Sequence, residues 1–170
     1  MLSKNIELAL NKQIRIEAES SQTYLSMACW AEISGLEGIA QFMYAQSEEE
    51  RLHMLKLIKY VNERGSSALI TELKAPKTSY ATFKEMFEAL YQHELFVSDS
   101  INELVHLTFT EKDYATHNFI QWYVAEQIEE EATAKSILDK INLIGDDKGG
   151  LYLFDRDIQQ LISVVPKQLP

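Results

Sequence analysis

Residues 46–60 read Gln46-Ser47-Glu48-Glu49-Glu50-Arg51-Leu52-His53-Met54-Leu55-Lys56-Leu57-Ile58-Lys59-Tyr60. Extended back to Ile39 and sampled at 3, 4 spacing, the stretch gives one face: Ile39, Met43, Gln46, Glu50, His53, Leu57, Tyr60. That is the core-facing stripe of a helix. It is interrupted in the middle by a carboxylate and an imidazole at i, i+3, a spacing that puts both on one side of one turn.

The flanking sequence sets the length of this helix and of its neighbours. Glycines occur at 35, 38, 65, 145, 149 and 150 and prolines at 76, 166 and 170. Between those breakers lie four long stretches, about 5–33, 37–64, 82–107 and 112–143, and a short one near 154–164. Gly35, Gly65 and Gly145 fall where helix C-terminal caps are expected. Thr82-Phe83-Lys84-Glu85 reads as an N-cap box, and so does Thr110-Glu111-Lys112-Asp113, with Asp in place of Glu. Each long helix would span roughly 40 Å. No alternating run competes for a strand.

The connections predict the topology. Two or three residues join helices 1 and 2, and Thr108-Phe109-Thr110-Glu111 joins helices 3 and 4, so each pair is antiparallel. The 17 or so residues between helices 2 and 3 suffice to run the length of a bundle. The expected fold is all-α: a four-helix bundle with one long crossover and a short fifth helix, one domain over residues 1–170.

The other three stripes carry the same interruption. Helix 1 gives Leu10, Ile14, Glu17, Ser21, Tyr24, Ala28; helix 3 gives Phe83, Phe87, Leu90, Glu94, Val97, Ile101, Leu104. Helix 4 gives Ile120, Tyr123, Gln127, Glu130, Ala134, Ile137, Ile141, Ile144. Each glutamate falls near the middle of its helix, so Glu17, Glu50, Glu94 and Glu130 should converge at one level, with His53 beside them. A single glutamate on a stripe ordinarily sits at its edge with its carboxylate reaching water. Four at one level do not fit that description. Four carboxylates in a dry core repel one another and need protons or metal ions, and no Lys or Arg lies on the stripes. Carboxylates with an imidazole suit a pair of cations such as iron or manganese, and Glu50 is the natural bridge.

Other candidates read more plainly. Tyr24 fits a core tyrosine as well as a phenol beside the metals, Trp122 fits core bulk, and Gln127 fits a satisfied amide. Glu49, Glu126 and Glu129 lie beside the stripes, where solvated helix faces are the default. Glu103 and His106 repeat the E-x-x-H spacing, but Leu104 holds the stripe there, so that pair reads as surface; His93 and His117 are given the same reading.

Composition excludes several function classes. Hydrophobic residues are 46% and charged residues 25%, the mix of a globular chain. The net charge of −10 disfavours nucleic acid and suits cations. Cys29 is the one cysteine, so no disulfide framework exists within the chain, which fits a reducing cytoplasm. No run of about 18 apolar residues predicts a membrane span. The start, Met1-Leu2-Ser3-Lys4-Asn5, passes into an amphipathic pattern without the apolar region of a secretory signal, which again predicts the cytoplasm.

On these residues the whole chain resembles the ferritins, most nearly the bacterial non-haem ferritins. The resemblance is carried by Glu17 followed by Tyr24, by Ser47 to His53, by Glu94, and by Gln121-Trp122-Tyr123-Val124-Ala125-Glu126-Gln127-Ile128-Glu129-Glu130-Glu131. It implies a first iron on Glu17, Glu50 and His53, and a second on Glu50, Glu94 and Glu130, with Gln127 close by. It implies a third iron on Glu49, Glu126 and Glu129, sharing Glu130, and places Tyr24 beside the dinuclear centre with Trp122 as neighbour. A bacterioferritin would show a second E-x-x-H in helix 4 and a haem methionine after its helix 2 glutamate. Here Glu130-Glu131-Ala132-Thr133 lacks the histidine and Arg51 follows Glu50, so no haem is expected. The acidic pair that lines the threefold channels of animal ferritins would fall on His117 and Ile120, which argues for another route of iron entry.

The resemblance thus implies a cytoplasmic ferroxidase and iron store. Fe(II) is oxidised by dioxygen or peroxide, and ferric mineral is kept in a hollow 24-subunit shell. The alternatives are a di-iron oxidase or peroxidase of the same bundle class without storage, a bacterioferritin-like variant, or a purely structural or partner-binding helical bundle with protonated carboxylates in its core. The apolar tail from Leu151 through Val165 is expected to bury itself against a neighbouring subunit rather than its own bundle.

Overall fold

The computed structural model describes residues 1–162. Its elements are α1 (Lys4–Ile33), α2 (Glu37–Glu63), α3 (Phe83–Thr110), α4 (Tyr114–Ile144) and α5 (Lys148–Ile158), followed by a 3-10 turn at Gln159–Leu161. Helices α1 and α2 form one hairpin and α3 and α4 another, and α1 packs on α3 to join them.

Capping sets where the helices begin and end. The Ser3 hydroxyl accepts the Ile6 N–H at 3.2 Å and the Thr82 hydroxyl accepts the Glu85 N–H at 3.1 Å. Gly35 and Gly65 take positive φ just past α1 and α2, as expected of C-terminal caps. The α3–α4 corner departs from the expected Thr110 box. Helix α3 runs on through Thr110, Lys112 adopts φ 58° without being a glycine, and Asp113 caps α4 by accepting the Thr116 N–H at 3.0 Å. The Asp113 N–H bonds the Thr108 carbonyl at 3.0 Å, the six-residue closure that a glycine usually permits.

The segment between α2 and α3 lies along α1. Asn11 contacts the Ser67 carbonyl and the Leu69 N–H, and further along α1 the Ser26 hydroxyl donates to the Lys77 carbonyl at 2.9 Å. The chain therefore travels the length of the bundle before α3 starts, and α3 runs parallel to α2.

The core is two cores. One holds Tyr24, Met27, Ile39, Met43, Phe87, Leu90, Ile137 and Ile141; the other holds Leu10, Ile14, Leu57, Val97, Ile101, Ile120 and Tyr123. Both contain pieces of all four long helices. Glu17, Glu50, His53, Glu94, Gln127 and Glu130 are buried between them in sequence on every helix.

Helix α5 corrects two expectations. It begins at Lys148 instead of near 154, because the Asp147 side chain accepts the Gly149 and Gly150 N–H groups at 3.2 and 2.8 Å and nucleates the first turn through the glycines. It also folds back on its own bundle, burying Phe154 and Ile158 in the first core beside α2. The close approach depends on Gly38, where a Cβ would stand 1.7 Å from the Asp155 carbonyl oxygen. Tyr152, Leu153 and Leu161 face outward and are exposed. The remainder of the expected apolar tail, Val164 and Val165, lies outside the described residues.

Candidate metal centre

Each long helix delivers its glutamate because its stripe has helical period; the apolar residues above and below it pack, and the carboxylate between them has nowhere else to go. The His53 Nδ1 lies 3.5 Å from the Glu50 Oε2 and 4.0 Å from the Glu17 Oε2. Donor atoms of Glu17, Glu50 and His53 all fall within 4.8 Å of one another, close enough to hold one ion. Glu94 and Glu130 face Glu50 from α3 and α4, and their charges act on its carboxyl.

Neighbours orient this layer. Gln13, one turn before Glu17, donates to the Glu17 Oε1 at 2.8 Å, and Ser100 of α3 donates to the Gln13 Oε1 at 2.8 Å. The Tyr24 hydroxyl donates to the Glu94 Oε1, and Gln127 donates to the Glu94 Oε2 at 3.2 Å. The Tyr123 hydroxyl ties α4 to α2 through the His53 carbonyl at 2.8 Å. The buried Nε2 of His53 has no hydrogen-bond partner.

The electrostatics follow from burial. Desolvation, then the nearby Glu50 charge, pushes the Glu17 carboxyl well above the ordinary carboxylate range. Desolvation and the Glu94 charge do the same to Glu50. Desolvation raises Glu94 too, offset by the hydrogen bonds from Tyr24 and Gln127. Burial and the Glu94 charge raise the Tyr24 phenol, so it stays a donor.

The expected third group is partly assembled. Glu126 is buried and Glu49 half-buried, and they lie within 4.8 Å of His53 and of each other. Glu129 is on the exposed face of α4. Trp122 sits on the His53 side of the layer, ring centroids 5.2 Å apart at 84°, with the Lys56 Nζ 4.1 Å from the Trp122 ring centroid. Glu103 and His106 are exposed, as their place off the stripe suggested.

Sequence reasoning missed several residues. His93 is not a surface residue: it is half-buried, edge-on to Tyr24 at 5.6 Å, and its Nε2 is 2.7 Å from the Ser20 hydroxyl. Its position just before Glu94 was the available signal. Gln13 was legible as the i−4 neighbour of Glu17. Lys56 and Ser100 lie off the stripes and gave no signal.

A family model described as a ferritin-like domain matches residues 7–144. A probable bacterial non-heme ferritin-like protein of Haemophilus influenzae is 48% identical over 161 residues, 95% of this chain and 98% of that protein. A bacterial non-heme ferritin of Campylobacter jejuni is 45% identical over 95% of this chain and 96% of its own. An open-pore ferritin of Archaeoglobus fulgidus superposes with a TM-score of 0.92 at 41% identity, covering 93% of this chain and 96% of that chain. With a buried carboxylate from each of the four long helices meeting at a shared level, and with relatives of this similarity along nearly its whole length, the chain belongs to the ferritin family.

Proposed function

We propose that this protein oxidises Fe(II) at the buried carboxylate layer and stores the product as ferric mineral inside a shell of identical subunits. Iron is the substrate. The first ion is held by Glu17, Glu50 and His53, and the second by Glu50, Glu94 and Glu130 with Gln127 alongside. A third position is formed by Glu49, Glu126 and Glu129. The single observation that carries this reading is the layer itself. Its carboxyls are pushed upward by burial and by each other. Such a layer is a poor structural element and a good receptor for divalent ions.

Two Fe(II) ions held on a shared glutamate deliver one electron each, matching the two electrons that dioxygen or hydrogen peroxide accepts. Carboxylates favour the harder Fe(III) that results. With one imidazole between them, the ions are held loosely enough to pass on. Tyr24 and Gln127 aim Glu94 and lower its pKa against the effect of burial, and Gln13 does the same, less strongly, for Glu17. The shell is taken as 24 subunits, in the cytoplasm, a location that the single cysteine supports. No helix among the described residues is long and apolar enough to cross a membrane.

Anaerobic titration with Fe(II), followed by oxygen and watched by absorbance and particle size, tests the reading. Binding of two or three ions per subunit, fast oxidation, and mineral growth inside a particle of constant outer size are expected. Oxidation without mineral would leave the di-iron oxidase of the same bundle class.

A further inference from the structure

We propose that Ser98 and Glu131 form a hydrogen-bond relay that fixes the direction of the Gln127 amide and so holds Glu94 ready for the second ion. Both are positioning residues. The inference rests on the reading of that second position given above.

Four side chains on two facing helices make the relay. On α3, Ser98 stands one turn after Glu94, and on α4, Glu131 stands one turn after Gln127, so i, i+4 spacing puts each pair on one face. The Ser98 hydroxyl donates to the Glu131 Oε1. The Gln127 Nε2 donates among three acceptors: the Ser98 Oγ at 3.3 Å, the Glu94 Oε2 at 3.2 Å and the Glu94 backbone carbonyl at 3.3 Å. Glu94, Ser98 and Gln127 are buried, and Glu131 is half-buried.

Direction along the relay is set by what each group can do. An ionised carboxylate only accepts, whereas a hydroxyl has one proton to give and lone pairs left over. With its proton committed to Glu131, Ser98 can only accept from Gln127. The two ends of an amide are alike in shape, so its hydrogen bonds decide which way it points. Ser98 as an acceptor demands the NH2 end, and that same end meets the Glu94 Oε2. Released from Glu131, the Ser98 hydroxyl is free to donate to the amide oxygen instead. The amide then turns, sets its oxygen against the Glu94 carboxylate, and loses the bond that holds this carboxyl down against burial. The bare charge of Glu131 acts on Glu94 in the opposite sense, upward. What Glu131 contributes to Glu94 is therefore the orientation it imposes through Ser98.

The test is anaerobic titration of the assembled protein with Co(II), whose visible absorption reports its ligands, with anomalous diffraction assigning each binding class to a position. In Ser98→Ala the class at Glu94 weakens by about tenfold, the scale on which groups that orient a ligand alter metal affinity. The class at Glu17 and His53 stays intact, which shows that the bundle is folded. Ser98→Thr, which keeps the hydroxyl, restores the class at Glu94. Glu131→Ala weakens that same class. In a Gln127→Ala background neither Ser98→Ala nor Glu131→Ala has a further effect, because no amide is left to orient. The relay is overturned if Ser98→Ala leaves the class at Glu94 unchanged, or if Ser98→Thr does not restore it. It is overturned equally if either alanine change still acts in the Gln127→Ala background, where only charge or packing remains. If Co(II) does not occupy Glu94 in the unaltered protein, the reading of the second position fails and the relay falls with it.

Discussion

The Asp155 carboxylate accepts the Ile39 backbone N–H at 2.9 Å, so a residue of α5 caps the N-terminus of α2. Leu36, in the N-cap position itself, has no side-chain oxygen to offer. The carboxylate also lies at the positive end of the helix dipole. Replacing Asp155 with Ala should lower subunit stability by about 1 kcal/mol, the usual value of an N-cap. Gly38→Ala should do more, since its Cβ would meet the Asp155 carbonyl and push α5 off the bundle. Limited proteolysis read by mass spectrometry would show new cleavage between residues 145 and 161 in Gly38→Ala. Unchanged cleavage would mean that α5 is held elsewhere.

Glu50→Ala should slow fast Fe(II) oxidation more than any other single change at the centre, by about tenfold or more, because ligand changes act on metal affinity at that scale. The fold should persist, since the change removes one member of a group of mutually repelling carboxyls. Stopped-flow initial rates, beside circular dichroism of the same preparation, check both halves.

Metal-free protein should gain stability as it is acidified toward the ordinary carboxylate range. Folded-state pKa values of Glu17, Glu50 and Glu94 lie above their unfolded values because burial penalises the charge. Their contribution is fully present below the unfolded value of about 4.3 and is lost as pH rises through the folded values. Zn(II) binding should then release protons, and release more of them at lower pH within that window. Calorimetry in buffers of different ionisation enthalpy measures the protons directly; release that does not vary with pH would contradict the raised values.

Glu49→Ala and Glu129→Ala should differ from each other. Glu49 is half-buried beside His53 and Glu126, whereas Glu129 is exposed on α4. The Glu49 change should alter the ratio of iron oxidised to oxygen consumed while leaving the fast dinuclear step largely intact, and the Glu129 change should alter that ratio less. Oxygen-electrode stoichiometry separates them; a larger effect from Glu129 would place the third ion nearer the surface of α4.

Tyr24→Phe should shift the pH profile of Fe(II) oxidation toward higher pH. The phenol donates to Glu94 and holds its carboxyl down against burial. Without that bond, Glu94 ionises later. Initial rates across the profile give the direction, and an unshifted profile would leave Tyr24 without influence on Glu94.

The number of helices, their pairing and the level at which four glutamates meet were legible in the sequence, because helical period and breaker placement are local properties of the chain. So were Glu50 and His53 as partners, since i, i+3 on a helix is a fixed geometry. What local pattern cannot carry is which atoms meet across helices. The Gln13–Ser100 support of Glu17, the His93 ring against Tyr24 and the membership of His53 in two groups depend on the rotation and separation of packed helices. The turn at Lys112 was misread because a non-glycine took the positive φ. The direction of α5 was decided by a tertiary fit alone: a glycine at 38 that lets two backbones touch, and a carboxylate at 155 that finds the open end of α2.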